Sequence, residues 1–169
     1  GLPIILTATG DLAGAAKVAE RYPDLQVILD ATGLHQVPGA KPDSPPFKAL
    51  RDVLTLADHP NMNVYWSDPV SLSEQPFPFG DVTPKLRQLV DAFGAQRVMW
   101  ASDISRFVGR VGFKVRIPGA DGDYVQNHTY AESLFFLRAN DQLTPEEKEW
   151  ILGGTILRFP PPCASPDER

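Results

Sequence analysis

The sequence predicts an α/β fold built around a parallel sheet of four strands. Four apolar runs fit buried strands, and amphipathic segments that fit helices separate them; the runs cover residues 3–8, 26–30, 63–67 and 97–101. In the run at residues 26–30, residues 27–29 are continuously hydrophobic up to the final Asp30, as in strands buried on both faces of a parallel sheet. Repeated strand-helix units favour right-handed crossovers, and they therefore predict parallel pairing.

Capping residues and prolines set the expected helix boundaries. Asp11 fits the N-cap of a first helix over residues 12–22, which Pro23 ends. Ser44 followed by Pro45 fits the start of a second helix that runs to about residue 57.

The later helices carry stronger start signals. Thr83 with Pro84 predicts the N-cap and first turn of a third helix, which ends at Gly94. Two further helices are predicted from capping boxes, in which a Thr side chain and a Glu side chain satisfy each other's backbone N–H groups. These boxes are Thr129 with Glu132 and Thr144 with Glu147.

Composition and charge exclude several classes of partner. With 43% hydrophobic and 22% charged residues, the chain fits a soluble globular domain. A net charge of −5 argues against nucleic-acid and anionic-membrane partners, which need a basic surface. The single cysteine, Cys163, cannot form an internal disulfide and fits a reducing compartment, so we expect a cytoplasmic protein without a membrane span or signal peptide.

One domain is expected over residues 1–158, followed by a disordered, proline-rich tail over residues 159–169. Apolar and polar residues alternate within residues 104–127, which predicts an extra strand or hairpin arm in that connection. The chain starts without Met and close to a strand-like run, so we expect it to be the remainder of a longer protein.

Two architectures accommodate four strand-helix units: an open doubly wound sheet and a sector of a (βα)8 barrel. A whole barrel takes about 250 residues. The 169 residues present could therefore supply about half of one. In a half barrel the first and fourth strands form the outer strands, and their unpaired edges favour self-association.

Several phrases, in the same order along the chain, resemble the amidohydrolase-related family of TIM-barrel metal-dependent hydrolases. They are Tyr22-Pro-Asp-Leu25 before Val27-Ile-Leu-Asp30, Asn63-Val64, Asp91-Ala-Phe-Gly94, Arg97-Val-Met-Trp-Ala-Ser-Asp103, Thr129-Tyr-Ala-Glu132 and Ile151-Leu-Gly-Gly-Thr155. The chain is most similar to the branch that contains sugar-lactone and pyrone-dicarboxylate lactonases. The resemblance implies a parallel four-stranded half of a (βα)8 barrel, strands five to eight, with extra C-terminal helices. The half that would carry the family's His-x-His pair is absent from this sequence.

This resemblance implies hydrolysis at a lactone or other carbonyl carbon, with Asp103 as the proton acceptor for the attacking water. Asp103 follows an apolar run, and a carboxylate at the end of a parallel strand lies where active sites of barrel enzymes form. Family relatives often use this aspartate as a metal ligand as well. The alternative is that Asp103 only caps the following turn, as aspartates at strand ends often do.

Two departures weaken the expectation of a metal. The second strand ends Asp30-Ala31 where the family usually has Asp-His, and the first strand offers Thr7 and Thr9 where metal-dependent relatives often place a histidine. Hydroxyls are poor zinc ligands beside nitrogen and sulfur. We therefore expect no cofactor or metal in this chain, although the complete family enzyme could hold a divalent, zinc-like ion.

The histidines and the basic residues supply the remaining candidates for a site. His35 follows a strand end and is a candidate substrate-binding residue, whereas His59 and His128 fit solvated or capping positions. Arg106 is a second candidate, because a guanidinium near Asp103 would pair with an anionic small-molecule substrate. The other basic residues of this cluster, Arg110, Lys114 and Arg116, fit a solvated loop edge.

The leading functional hypothesis is therefore an amidohydrolase-type hydrolase represented by its carboxyl-terminal half, which could be inactive alone. Its main rival is a degenerate barrel segment that acts as a binding or structural module without catalysis. A third reading, a doubly wound ligand-binding domain, lacks a glycine-rich phosphate loop after a strand, since residues 9–14 are only a faint match to one.

Overall fold

The computed structural model describes residues 1–8, 10–33, 46–67, 69–102 and 128–159. These residues form a four-stranded sheet with the order β1-β2-β3-β4, and every neighbouring pair is parallel. The strands are β1 (Ile4–Leu6), β2 (Val27–Leu29), β3 (Met62–Ser67) and β4 (Val98–Ala101). The predicted parallel sheet and its outer strands are confirmed. A doubly wound sheet reverses its strand order at a switch point, whereas these four strands follow chain order as in a barrel.

Helices connect and cover the strands. They are α1 (Leu12–Arg21), α2 (Leu50–Thr55), α3 (Thr83–Phe93), α4 (Tyr130–Arg138) and α5 (Pro145–Glu149). A π-helical turn, Trp150–Gly154, extends α5 to the glycine pair Gly153–Gly154. Among the described residues, no helix has both the length and the apolar character needed to cross a membrane.

Most predicted helix starts are confirmed. The Asp11 side chain accepts a hydrogen bond from the backbone N–H of Gly14 at 2.9 Å, which makes it the N-cap of α1. Both capping boxes form, with Thr129 and Thr144 accepting from the N–H groups three residues later at 3.2 Å. These helix starts depend on local sequence alone, which explains why they could be predicted.

Two predicted helix starts were wrong. The N-cap of α3 is Val82, not Thr83, and it makes no side-chain cap. Val82 is fully buried, and its backbone N–H bonds the Phe79 carbonyl at 2.9 Å, so a preceding turn leads directly into the helix. The second helix begins at Leu50 after a turn at residues 46–49. Its expected cap at Ser44 and Pro45 lies outside the described residues, as do the predicted strand within residues 104–127 and residues 160–169 of the tail.

The sheet has two different faces because side chains alternate along each strand. One face packs under the helices and supplies the centre of the hydrophobic core: Val27, Leu29, Met62, Val64, Trp66 and Val98. We call the opposite side the inner face, defined by Ile5, Thr7, Ile28, Asp30, Asn63, Tyr65, Ser67, Met99 and Ala101. Ile28 and Met99 of the inner face are buried but do not belong to the helix-side core. The inner face corresponds to the interior of a barrel.

The first prediction concerns the sheet edges. Apolar side chains are exposed along β1, where Leu2 is 50% and Ile5 60% exposed. Because an unpaired apolar edge strand favours association with another chain, the protein is expected to form dimers or larger species, and Ile5→Lys is expected to shift it toward the 18.6-kDa monomer. Light scattering after size exclusion measures this. Leu157→Lys, at an 83% exposed position away from the sheet, is the matched control. A monodisperse wild-type monomer would contradict the prediction, because it would show that the outer strands do not associate with another chain.

A bidentate ion pair joins α3 to α5. Arg87 donates from its two terminal nitrogens to the carboxylate of Glu147 at 3.0 and 2.9 Å, and its Nε donates to Asp91 at 2.9 Å. Hydrogen bonding from Arg87 lowers the pKa of Glu147, while the Glu147 carboxylate raises the pKa of Arg87. Since Glu147 also closes the second capping box, one carboxylate fixes both the start of α5 and its docking on α3.

The second prediction follows from that ion pair. Glu147→Gln keeps a capping-box residue but removes the charge, so it is expected to lower the free energy of unfolding by about 1.5 kcal/mol at pH 7. A lowered carboxyl pKa contributes stability above the unfolded-state pKa and loses it as the pH falls through the folded-state value. The difference between the two proteins should therefore begin to shrink as the pH falls below about 4.5, the ordinary value, and should continue to shrink as the pH passes through the lower folded-state pKa. Urea unfolding at several pH values tests this; a constant difference across pH would contradict it.

Candidate active site

The candidate site lies at the carboxyl edge of the sheet, where the four parallel strands end together. Thr7 follows β1, Asp30 follows β2, and β3 and β4 end at Ser67 and Ala101. In parallel α/β folds this edge collects ligands and catalytic groups. The polar residues that end these strands therefore occupy the part of the fold where chemistry is expected.

Three polar residues form a row across adjacent strands on the inner face. The last paired positions are Leu6 with Leu29 and Leu29 with Val64, so continuing the register by one residue places Thr7 beside Asp30, and Asp30 beside Tyr65 of β3. The Thr7 hydroxyl donates to Asp30 Oδ2 at 3.1 Å. Burial raises the pKa of Tyr65, and the negative charge of Asp30 raises it further, so the phenol remains a hydrogen-bond donor at neutral pH. We call Thr7, Asp30 and Tyr65 the polar row.

A buried threonine holds the turn that carries Asp30. Thr32, which is fully buried, adopts a left-handed φ of 55° and donates its hydroxyl to the Tyr65 carbonyl at 2.8 Å. Positive φ is rare for a β-branched residue, and it persists here because the hydrogen bond and the burial hold the turn against β3. Sequence reasoning missed Thr32, since its partner is 33 residues away and no local signal marks it.

All three of the predicted site residues, Asp103, Arg106 and His35, lie outside the described residues. Their roles stay predictions. The structure does place the strand that precedes Asp103: β4 ends at Ala101, on the same edge as the polar row. The sequence reaches Asp103 two residues later.

The other histidines and the strand tryptophans lie away from the inner face. His128 is buried against the ring of Phe79, with centroids 5.9 Å apart, so of its two predicted positions, solvated or capping, the solvated one is wrong. His59 lies between α2 and the amino end of β3. Trp66 is a core residue, 1% exposed and stacked on Phe136. Trp100 packs partly buried against Tyr130.

The described part of the site does not fit a zinc ion. Its side chains on the inner face near the carboxyl edge offer hydroxyls, a phenol and a single carboxylate, whereas zinc sites take most of their ligands from His nitrogen and Cys sulfur and add a carboxylate to these. No group of three metal-ligating residues forms within the described residues. The Thr7 hydroxyl instead donates to one oxygen of Asp30, Oδ2.

The third prediction concerns metal content. Because the polar row offers oxygen ligands alone and Ala31 stands where the sequence resemblance leads us to expect a histidine, the purified protein is expected to hold well under one zinc per chain. Elemental analysis of protein prepared without chelators measures this. Thr7→His is the matched variant, since it places an imidazole on β1 beside Asp30 and should raise zinc binding. Near-stoichiometric zinc in the wild type would contradict the prediction.

Two clefts lie away from the inner face. One, of about 430 Å³, runs between α1 and α2 and is lined mostly by small and apolar residues. The other, of about 490 Å³, lies at the amino end of β4 and contains Arg97, Arg158 and Glu147. The amino-terminal edge of barrel strands serves stability, so we assign the second cleft no catalytic role.

Comparison with known proteins identifies related sequences and folds. The profile of the family described as Amidohydrolase matches residues 1–159. No significant match was found among curated protein sequences.

Solved structures of similar fold are about twice as long. An amidohydrolase from Burkholderia multivorans with bound zinc has a TM-score of 0.60 and 20% identity, over 92% of this chain and 51% of that one. Amidohydrolase 2 from Bifidobacterium longum subsp. infantis has a TM-score of 0.53 and 22% identity, over 94% and 49%. A putative 2-pyrone-4,6-dicarboxylic acid hydrolase from Pseudomonas putida has a TM-score of 0.52 and 16% identity, over 87% and 48%. The fold is thus that of a partial TIM barrel, as predicted, and the chain spans about half the length of these structures.

Proposed function

Because the chain belongs to the amidohydrolase family, we propose that it contributes the carboxyl-terminal half of a hydrolase active site that acts on a lactone or related carbonyl compound. One observation carries the proposal: β4 ends at Ala101 on the edge where β1, β2 and β3 also end, and Asp103 follows it. The family match covers this strand and most of the chain.

The proposed reaction uses Asp103 as the general base. The water oxygen forms a bond to the carbonyl carbon while its proton moves to the Asp103 carboxylate, and the carbonyl π electrons move to oxygen. When the carbonyl re-forms, the ring C–O bond breaks, and the leaving oxygen takes the proton from Asp103. The product is a ring-opened hydroxy acid. No step is assigned to a metal ion, since the described residues do not fit zinc.

An anionic substrate is proposed from the basic residues after Asp103. Arg106 follows it by three positions, and a guanidinium pairs well with a carboxylate. The similar Pseudomonas putida structure is that of a putative dicarboxylic acid hydrolase, which agrees with this charge preference. His35 is proposed as a second substrate-contacting residue because it follows the turn that carries Asp30.

A non-catalytic binding or structural module is the second candidate. The hydrogen bond between Thr7 and Asp30 favours this second candidate. In a metal-dependent enzyme the Asp30 carboxylate could bind a metal ion, whereas here one of its oxygens accepts a hydrogen bond from Thr7. The chain would then retain the barrel's shape and its polar edge without performing hydrolysis.

Direct assay of ring opening separates the two candidates. The protein, or a longer polypeptide containing it, is incubated with δ-valerolactone and with 2-pyrone-4,6-dicarboxylate, with and without Zn²⁺ or Mn²⁺, and acid release is followed with a pH indicator. We expect hydrolysis above background, faster for the anionic ring, with Arg106→Met removing that preference. No hydrolysis of either ring would favour the binding module. Equal rates for both rings, unchanged in Arg106→Met, would overturn the role of Arg106 alone.

A further inference from the structure

The polar row differs from the remainder of the inner face in both exposure and chemistry. Deeper on the face, Ile28, Asn63 and Met99 are almost fully buried. At the carboxyl edge, Thr7 is exposed and Asp30 and Tyr65 are half-buried. The three side chains thus remain accessible at the level where the sheet opens, and the core does not enclose them.

The row is held in place from three directions. The Thr7 hydroxyl donates to one oxygen of Asp30, the Thr32 hydroxyl ties the turn after β2 to the Tyr65 carbonyl, and the parallel ladder fixes β2 against β3. Such pre-organisation is what a binding site needs, since little conformational freedom is lost when a ligand binds.

The chemistry of the row fits an uncharged hydroxyl group. A carboxylate accepts a hydrogen bond from a hydroxyl, and a phenol donates one to the same oxygen. No Lys or Arg lies within the four described strands, so this part of the edge offers no charge complement for a second carboxylate. Charge preference through Arg106 and hydroxyl recognition by the row would act on different parts of one ligand.

We propose that Thr7, Asp30 and Tyr65 form a ligand subsite that binds a neutral hydroxyl group. Asp30 accepts a hydrogen bond from the ligand hydroxyl, and the Tyr65 phenol donates a hydrogen bond to the oxygen of the same hydroxyl. Thr7 is a positioning residue that orients the Asp30 carboxylate. This subsite deepens the proposed function, because it specifies which substrates the site would favour. It depends on the proposed location of the site and not on catalysis.

Unreactive lactams test the subsite without requiring turnover. Binding of piperidin-2-one and of its 3-, 4- and 5-hydroxy derivatives to the whole chain is measured by ligand-observed NMR. At least one hydroxylated ring is expected to bind about tenfold more tightly than the parent ring, the usual effect of a hydrogen bond that involves a charged group. Asp30→Asn and Tyr65→Phe should each abolish most of that preference, and Thr7→Val should reduce it a few-fold.

The controls separate binding from folding and from catalysis. Asp58→Asn, an exposed carboxylate at the opposite end of β3, should keep the preference, and thermal melting of every variant shows whether it folds. Equal binding of all four rings by the wild type, or a preference unchanged in both Asp30→Asn and Tyr65→Phe, would overturn the proposal. Because the lactams are not hydrolysed, a failure of lactone hydrolysis leaves this result interpretable on its own.

Discussion

Replacing Arg97 with Met is expected to lower the free energy of unfolding by about 4 kcal/mol, a large fraction of the stability of a single domain. Arg97 donates to the carbonyls of Phe93 at 2.7 Å, His59 at 2.9 Å and Ala57 at 3.1 Å, with a longer contact to Met62 at 3.4 Å. These carbonyls end α3 and the helical turn after α2, where helices leave acceptors unsatisfied. Removing the guanidinium would take this donor from the partly buried carbonyls of Phe93 and Ala57, whereas the His59 carbonyl still accepts from the Met62 N–H at 3.0 Å.

In all of these hydrogen bonds the Arg97 guanidinium donates to backbone carbonyls, and none of them goes to a carboxylate. Burial lowers the pKa of Arg97, and the positive charge of Arg158 lowers it further. The oriented carbonyls at the two helix ends supply the compensating negative potential. A single ammonium cannot reach all of these acceptors, so Arg97→Lys should recover about half of the loss.

Urea unfolding at neutral pH measures these effects. Arg158→Met is the matched control, since Arg158 lines the same cleft and donates to the Gln96 carbonyl at 2.7 Å from an exposed position. It should change stability by less than about 1 kcal/mol. An Arg97→Met protein as stable as Arg158→Met would show that water satisfies the helix ends in its place.

The sheet and most helix boundaries could be predicted from sequence because their signals are local. Continuous apolar runs separated by amphipathic segments predict buried parallel strands, and a Thr with a Glu three residues later predicts a helix start. The order of the strands follows from short right-handed crossovers. Thr83 was misjudged because a preceding turn and the burial of Val82 fix the start of α3, and neither is visible in a capping pattern.

The interactions that hold the elements together could not be predicted, because their partners are distant in sequence. Asn61 is buried and donates to the carbonyls of Ala19, Tyr22 and Leu25 at 2.9 to 3.1 Å, which closes the end of α1. Likewise, the sequence pattern identifies Arg97 merely as the first residue of a predicted strand. For a polar residue next to a strand, no periodic pattern distinguishes a donor to distant helix-end carbonyls from a solvated surface residue.

The candidate site divides in the same way. The sequence pattern predicts that Thr7 and Asp30 lie at strand ends, where related enzymes often have histidines. It does not predict the hydrogen bond between them or the position of Tyr65 beside Asp30, because both depend on how the strands pair. Tyr65 lies inside an apolar run and was not distinguished from the core. Its position on the inner face is a property of the pairing of β2 with β3, which sequence periodicity over a short strand does not define.

The largest functional effect is expected at Asp103. In a polypeptide that hydrolyses a lactone, Asp103→Asn should lower kcat about 1,000-fold and change KM by only a few-fold, because an amide cannot accept the proton of the attacking water. Stopped assays of ring opening at saturating substrate measure kcat. The loss should shrink at alkaline pH, where hydroxide can attack without a general base.

The Asn substitution also separates catalysis from turn capping. Asn and Asp cap turns and helix starts about equally well, so a residue that merely caps the turn after β4 would tolerate Asp103→Asn with little change in stability or activity. A general base would lose activity while the melting temperature stays within a few degrees of the wild type. Asp58→Asn, at the other end of the sheet, should leave both quantities unchanged. If Asp103→Asn keeps more than a tenth of the wild-type kcat, then the proton acceptor is another residue. Asp30, the carboxylate of the polar row, would then be the next residue to replace with Asn.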